Sequence, residues 1–274
     1  MWGATSFWPQ VLSWPGRRLV RYLGPVVAVL LLGALSATPA RAFNIDDTQV
    51  VVPVIVHTQG YNSTVWRTDV WVTSVGVQSQ VTLTYYPAAG GELTQSMTIA
   101  GFGGHFFPDI VLQTFGLDDS KGMLIVSSAP GHMEVRARVY NTGNPAGQFG
   151  QAVPGVPEYR LARQGFVSGV STAAGRRLSV GIANPTDQTL DLQITVRDVN
   201  TQETLSDQTV TLSPHQLLQL DKVAELWNLP ERNDLTVDVE GPDGSQFYAY
   251  ASVVRDDTGD ATFLFGTSPN AGPA

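Results

Sequence analysis

"RTDVWVTSVGVQSQVTLTYYP", residues 67–87, alternates apolar and polar side chains along much of its length. In VTLTYY, residues 81–86, the valine, the leucine and the first tyrosine share one face of an extended chain, and the threonines and the second tyrosine share the other. Such runs, rich in β-branched and aromatic residues and bounded by glycine and proline, predict antiparallel strands that bury one face.

The same pattern returns about 110 residues later in the chain. "RLSVGIANPTDQTLDLQITVRD" (177–198) aligns with the opening stretch, and "LLQLDKVAELWNL" (217–229) aligns with "HFFPDIVLQTFGL" (105–117). Each copy holds about seven strand-like runs, with turn signals roughly every 8 to 12 residues. We therefore predict an all-β protein of two tandem immunoglobulin-like β-sandwich domains.

One place in each copy departs from the strand pattern. "DIVLQTFGL" and "DKVAELWNL" begin with Asp109 and Asp221 and continue with apolar residues at helical spacing. We expect these aspartates to cap a short helix that crosses one end of each sandwich. The aromatic residue of each helix, Phe115 or Trp227, is expected to fill the core.

The N-terminus is typical of a secretory signal peptide. Residues 1–42 contain four arginines and no acidic residue, an apolar run of 13 residues (25–37) and the small-residue sequence TPARA. Spanning a bilayer takes roughly 20 apolar residues. We therefore expect cleavage after Ala42, no stable membrane span in the mature protein, and a secreted, periplasmic or cell-surface location. The alternative is an uncleaved membrane anchor.

The remaining chain is divided by a short proline-containing link at about residues 151–165. We expect the signal peptide at 1–42, the first β-sandwich domain at 43–155 and the second at 156–274.

Charge and cysteine content exclude several classes of partner and site. The sequence beyond residue 42 holds 12 basic and 24 acidic residues, a net charge of -12, which argues against nucleic acid as a partner. The chain has no cysteine, so disulfides and thiolate metal sites are excluded.

Catalytic motifs are missing from the sequence as well. It contains four histidines but no G-x-S-x-G elbow, no H-E-x-x-H and no phosphate-binding glycine loop. We predict that the protein is not an enzyme and uses no cofactor.

Several large side chains are predicted to point outward from their strands. The alternation turns Trp71, Tyr86, Arg136, Arg138 and Tyr140 away from the buried face. If their strands are neighbours, these residues form an amphipathic face for stacking on a sugar or docking a protein. The alternative is that another strand or the other domain covers this face.

An acidic loop near the C-terminus suggests calcium at first sight. "VVRDDTGDATFLFG" (253–266) carries three closely spaced aspartates, but its part DTGDATFLFG aligns without a gap on "NTGNPAGQFG" (141–150), where two of them are asparagine. We therefore interpret both stretches as hairpin turns, with a metal site as the lesser alternative. Its ligands would be Asp256, Asp257 and Asp260.

Three segments carry a likeness to a known group of proteins: "WRTDVWVTS" (66–74), "RVYNTGNPAGQFGQAVPG" (138–155) and "YAYASVVRDDTGDATF" (248–263). With them, the chain resembles exported bacterial proteins with tandem immunoglobulin-like β-sandwich repeats. The resemblance implies display, adhesion or envelope assembly and brings no catalytic motif.

We accordingly expect a non-catalytic exported interaction or structural protein with an unknown protein or glycan partner. A carbohydrate-binding module that uses the outward aromatics is the alternative, and a hydrolase is a third possibility.

Overall fold

The computed structural model describes residues 47–268, and the protein there is all-β, as predicted, with several antiparallel sheets and two short helices. The expected signal peptide, residues 1–42, lies outside the described residues and stays a prediction. Among residues 47–268, neither helix is long and apolar enough to cross a membrane.

The first half of the described chain contains eight strands and one helix. They are β1 (Gln49–Gln59), β2 (Val65–Val75), β3 (Ser79–Pro87), β4 (Leu93–Ile99), β5 (Gly104–Phe107), α1 (Ile110–Gln113), β6 (Ser120–Ala129), β7 (His132–Asn141) and β8 (Phe149–Pro154). A two-residue strand, β9 (Val156–Pro157), follows and pairs with β1.

These strands form one nine-stranded sheet that folds into two layers. One layer has the order β4-β3-β6-β1 and the other the order β5-β2-β7-β8. The end of β1 pairs with β2 and joins the layers. Apolar side chains from both layers, including Leu83, Val126, Val70 and Val135, belong to one buried core. We call β1–β9 the first sandwich.

The second half contains eight strands and one helix in the same sequence. They are β10 (Gln164–Val170), β11 (Arg176–Ala183), β12 (Leu190–Asp198), β13 (Thr204–Leu212), β14 (Leu217–Leu220), α2 (Val223–Leu226), β15 (Leu235–Glu240), β16 (Tyr248–Arg255) and β17 (Ala261–Phe265). We call β10–β17 the second sandwich.

Its two sheets have the orders β10-β15-β12-β13 and β14-β11-β16-β17. The strand order within each layer is that of the first sandwich, with β10 in the place of β1 and β17 in the place of β8, but the β1–β2 and β1–β9 pairings have no counterpart. The first two strands lie in different layers, whereas immunoglobulin domains pair theirs within one sheet. The likeness to immunoglobulin domains is therefore one of layered architecture.

The helices are where we expected them, but the predicted capping is wrong. Asp109 precedes α1 with a left-handed backbone (φ 40°) and makes no side-chain cap, and the residue that precedes α2 is Lys222 (φ 54°) and not Asp221. An aspartate N-cap normally has extended backbone. Both carboxylates instead bind side chains elsewhere. Phe115 stacks on Tyr85 of the core, 5.2 Å between ring centroids.

The link between the sandwiches is ordered structure. Residues 151–165 comprise the end of β8, then β9, a 3-10 turn (Glu158–Arg160) and the start of β10. Val156 and Leu161 are buried in the core of the first sandwich. The described residues belong to one compact unit, and the predicted domain boundaries stay a prediction.

Candidate functional site

The outer face of the β5-β2-β7-β8 layer carries the first of the predicted site residues. On β2, Val70 and Val72 are fully buried while Trp71 between them is 40% exposed. This is the outcome of strand alternation, since successive side chains point to opposite faces. Trp71 therefore faces away from the core, as predicted.

A second aromatic ring, which sequence reasoning did not select, lies beside Trp71. Phe106 on β5 pairs with Trp71 across the two strands, and their rings stack with centroids 4.9 Å apart and planes 27° apart. Phe106 is 44% exposed. The pair places two adjoining aromatic surfaces in contact with solvent.

Three further exposed apolar side chains lie in two loops at the end of this layer. Val75 and Val77 lie at the β2–β3 turn, and Phe102, which is 81% exposed, lies at the β4–β5 turn. The Ser74 N–H donates to the Gly103 carbonyl (2.9 Å) and ties the two loops together. We name Trp71, Val75, Val77, Phe102 and Phe106 the apolar patch.

The apolar patch holds a large share of the exposed apolar side chains. Eleven large apolar side chains are exposed among residues 47–268, and five of them belong to this patch. Single exposed apolar residues are ordinary, but several at one end of one layer indicate an interaction surface.

Polar residues of β7 border the apolar patch. Arg136 lies opposite Trp71 across the strands and forms an ion pair with Glu134. The guanidinium of Arg138 lies 4.9 Å from the centroid of the Tyr140 ring. Trp71, Arg136, Arg138 and Tyr140 thus share one face of the layer, as the alternation predicts.

The Tyr140 hydroxyl donates to Asp69 Oδ1 (3.2 Å). Burial, together with the negative charge of Asp69, raises the pKa of Tyr140 to about 12, so the hydroxyl is a neutral donor near neutral pH.

Tyr86 does not lie on this face. It belongs to β3 in the other layer, and its ring stacks on His215 of the second sandwich with centroids 4.4 Å apart and planes 9° apart. Burial, with the nearby charges of Glu92 and Asp187, raises its pKa. The other sandwich covers this side chain, which is the alternative that the sequence left open.

The three aspartates of the acidic loop lie at the β16–β17 hairpin, and two of them face arginines. Asp256 accepts a hydrogen bond from Arg177 Nε (2.6 Å), and Asp257 accepts two from Arg255, which lower its pKa. Asp260 closes the hairpin through its backbone.

Within residues 47–268, no three metal-ligating side chains lie close enough to hold a metal ion. The matching stretch 141–150 joins β7 to β8.

A buried polar network lies behind this face. His57, 3% exposed, directs Nδ1 at Asp109 Oδ1 (2.8 Å) and Nε2 at Asp118 Oδ1 (3.1 Å). Arg67 Nε lies 3.5 Å from Asp109 Oδ2, and the Asp109 N–H donates to Asp69 Oδ1 (2.9 Å). The network anchors the start of α1 to β1 and β2 and thereby holds Asp69 below Tyr140. Its one sequence signal was a histidine at the end of the apolar run VVVPVIVH.

Comparisons with known proteins do not place the chain in a family. No family model matches it, and no curated protein matches it. One solved structure with some similarity is described as a beta-glucuronidase from glycoside hydrolase family 2. The alignment covers 76% of this chain and 24% of that chain at 10% identity, with a TM-score of 0.17. A similarity this low assigns neither a fold nor an activity.

Proposed function

We propose that the protein is an exported, non-catalytic interaction protein that docks a partner protein through the apolar patch, in adhesion, display or envelope assembly. The observation that carries the proposal is the concentration of five of eleven exposed large apolar side chains in this one region of residues 47–268.

The composition of the patch suits a protein partner. Aromatic residues and arginine are enriched where protein interfaces are fully buried, and tryptophan and arginine dominate the binding energy. Trp71 and Phe106 supply adjoining rings, and Arg136 and Arg138 stand at their border. The network behind β2 holds Asp69, and through it the Tyr140 hydroxyl at the border of the patch, before binding, which reduces the entropy lost on association.

We infer that the two sandwiches are copies of one unit, and this adds a second argument. Gly181 of β11 matches Trp71, and its strand partner Tyr250 matches Arg136. In the second sandwich this face packs against the first sandwich, and Tyr250 is 1% exposed within the first core. The unit thus already uses this face once to bind a protein surface.

Export is inferred from residues 1–42, whose arginines, apolar run and small residues stand in the order of a secretory signal. The partner would then meet the protein in the periplasm, at the cell surface or outside the cell.

A non-catalytic role agrees with the surroundings of His57. Serine hydrolysis needs a histidine that holds a carboxylate with one ring nitrogen and takes a proton from the nucleophile with the other. Both ring nitrogens of His57 instead face carboxylates, those of Asp109 and Asp118.

The double variant Trp71→Ala with Phe106→Ala tests the proposal. Purified protein carrying an affinity tag is incubated with the envelope fraction of the source cell, and captured proteins are identified by mass spectrometry. We expect wild type to capture a discrete protein that the double variant loses, because the two rings are removed from the centre of the contact. Leu226→Ala is the control, since Leu226 is 59% exposed on the second sandwich.

Equal capture of the protein by the double variant and by Leu226→Ala would contradict the proposal. Binding on a glycan array that disappears in Trp71→Ala would instead favour the carbohydrate-binding alternative, for which Trp71 and Tyr140 remain on one face.

A further inference from the structure

A cleft of about 400 Å³ lies where the two sandwiches meet. It falls within the size range of sites for small organic ligands. Residues of β1, β2, β6 and β7 line one side, and residues of β11, β14 and β16 line the other. The cleft is separate from the apolar patch, so what it binds does not depend on the docking proposed above.

The wall contributed by the first sandwich is largely apolar. Val54, Val56 and Val139 line it together with the half-buried ring of Trp66. An apolar ring or chain placed here would lose its contact with water, which favours binding in proportion to the area covered.

The wall contributed by the second sandwich is polar and internally hydrogen-bonded. Asp221 Oδ1 accepts from Ser179 Oγ (3.0 Å) and from Gln219 Nε2 (2.8 Å). The Tyr250 hydroxyl donates to Gln219 Oε1 (3.1 Å), and Lys121 reaches across from the first sandwich to Asp221 Oδ2 (3.3 Å). These bonds fix the polar groups in position, and they explain why Asp221 is not a helix cap.

Arg177, at one end of this wall, still has an unused donor. Its side chain is 11% exposed, and its Nε donates to Asp256 Oδ1 (2.6 Å). Its Nη2 is buried and has no hydrogen-bond partner among the described residues. A buried guanidinium nitrogen without an acceptor is costly, because it has given up its bonds to water.

A second cation stands near Arg177 at the cleft. Lys222 Nζ lies 4.8 Å from the centroid of the Tyr61 ring, and Arg177 Cζ lies 5.7 Å from the same centroid. Lys222 pairs with Glu225 (3.1 Å), as Arg177 pairs with Asp256, so the donor that remains without an acceptor is Arg177 Nη2.

We propose that the cleft binds a small organic anion that carries a carboxylate on an apolar ring or chain. The carboxylate accepts a hydrogen bond from Arg177 Nη2, since the planar guanidinium matches a carboxylate oxygen. The body of the ligand lies against Val54, Val56 and Val139.

Isothermal titration calorimetry of the purified protein tests this with two matched pairs of probes. Benzoate and hexanoate carry the carboxylate on an apolar ring and on an apolar chain, and benzyl alcohol and hexanol are their neutral counterparts. We expect at least one carboxylate to bind about tenfold or more tightly than its counterpart, as a charge-assisted hydrogen bond supplies. Failure of both carboxylates to bind, or equal binding of the neutral counterpart, overturns the proposal.

Variants place the binding in the cleft. Arg177→Gln should weaken binding of the carboxylate probe about tenfold or more. Arg255 pairs with Asp257 at an exposed hairpin, so the control variant Arg255→Gln should bind the probe as wild type does. Unchanged affinity in Arg177→Gln overturns the proposal. If that variant does not fold, Tyr61→Ala decides, because Tyr61 lines the cleft yet is 51% exposed. A loss of affinity supports the site, and unchanged affinity rejects it.

Discussion

At the scale of single residues, one pair of matching positions separates a free face from a covered one. Trp71 extends from β2 toward solvent, whereas Gly181 on β11 leaves room for the ring of Tyr250. A Cβ atom at Gly181 would lie 2.0 Å from Tyr250 Cζ. The absence of a side chain at Gly181 thus lets Tyr250 lie flat between the sandwiches, where its hydroxyl reaches Gln219.

We therefore expect Gly181→Ala to destabilise the protein by about 1–3 kcal/mol, because the added methyl group must displace a fully buried ring. Urea denaturation followed by circular dichroism measures the change. Thr209→Ala, at an exposed position of β13, is the control and should stay within about 0.5 kcal/mol of wild type. If Gly181→Ala is as stable as this control, the Tyr250 ring can move aside at no cost in stability, which would contradict the prediction.

At the scale of elements, side chains in the turns decide how neighbouring strands are joined. Asp198 at the end of β12 accepts hydrogen bonds from the N–H groups of Asn200 (2.8 Å) and Thr201 (2.9 Å), and Arg232 Nε lies 3.3 Å from its other oxygen. These contacts close the β12–β13 turn. The hydrogen bonds from Thr201 are the main reason that the pKa of Asp198 is lowered.

The lowered pKa of Asp198 predicts that the stability of the protein depends on pH in the acid range. A carboxylate whose pKa is lower in the folded state contributes stability above its unfolded pKa of about 4, and the contribution disappears as pH falls through the folded pKa. We expect Asp198→Asn to be less stable than wild type at neutral pH, with the difference shrinking below about pH 4. Urea denaturation over a pH series measures it.

The control is Asp243→Asn, because the Asp243 side chain is 99% exposed. A difference between wild type and Asp198→Asn that stays constant from neutral pH to acid would contradict the role assigned to the charge.

The β16–β17 hairpin makes a further prediction about calcium. Asp256 and Asp257 bind Arg177 and Arg255, and each arginine competes with a cation for its carboxylate. We expect the thermal midpoint to be the same with calcium and with a chelator, as measured by differential scanning fluorimetry. A midpoint that rises with calcium in wild type but not in Asp257→Asn would restore the metal interpretation.

The elements also show what alternation can and cannot predict. It gave the outward direction of Trp71, Arg136 and Tyr140, because direction depends only on neighbouring residues along one strand. It did not show that Tyr86 belongs to another layer, because strand neighbours are set by pairing between distant segments. The sequence predicted about seven strand-like runs in each copy without placing a strand at β5 or β14, since four residues are too few for a period of two to appear.

At the scale of the whole molecule, the relation between the sandwiches produces features that no local pattern contains. Tyr248 and Tyr250 join the core of the first sandwich, and Tyr86 stacks on His215. The cleft with Arg177 exists only because two separately patterned units meet there. The strand content and the similar strand order of the two halves followed from periodicity and turn residues. The packing between the sandwiches depends instead on the shapes of two folded surfaces.

The same arrangement leaves the apolar patch exposed, while the first sandwich covers the corresponding face of the second. Site-specific photo-crosslinking in the native envelope shows whether a partner docks on the patch. A benzophenone amino acid replaces Thr73, which is exposed beside Trp71 on β2, or replaces Leu226 on the second sandwich as a control. We predict a discrete crosslinked protein from position 73 and none from position 226. The absence of an adduct at position 73, or the same adducts from both positions, would contradict docking on the apolar patch.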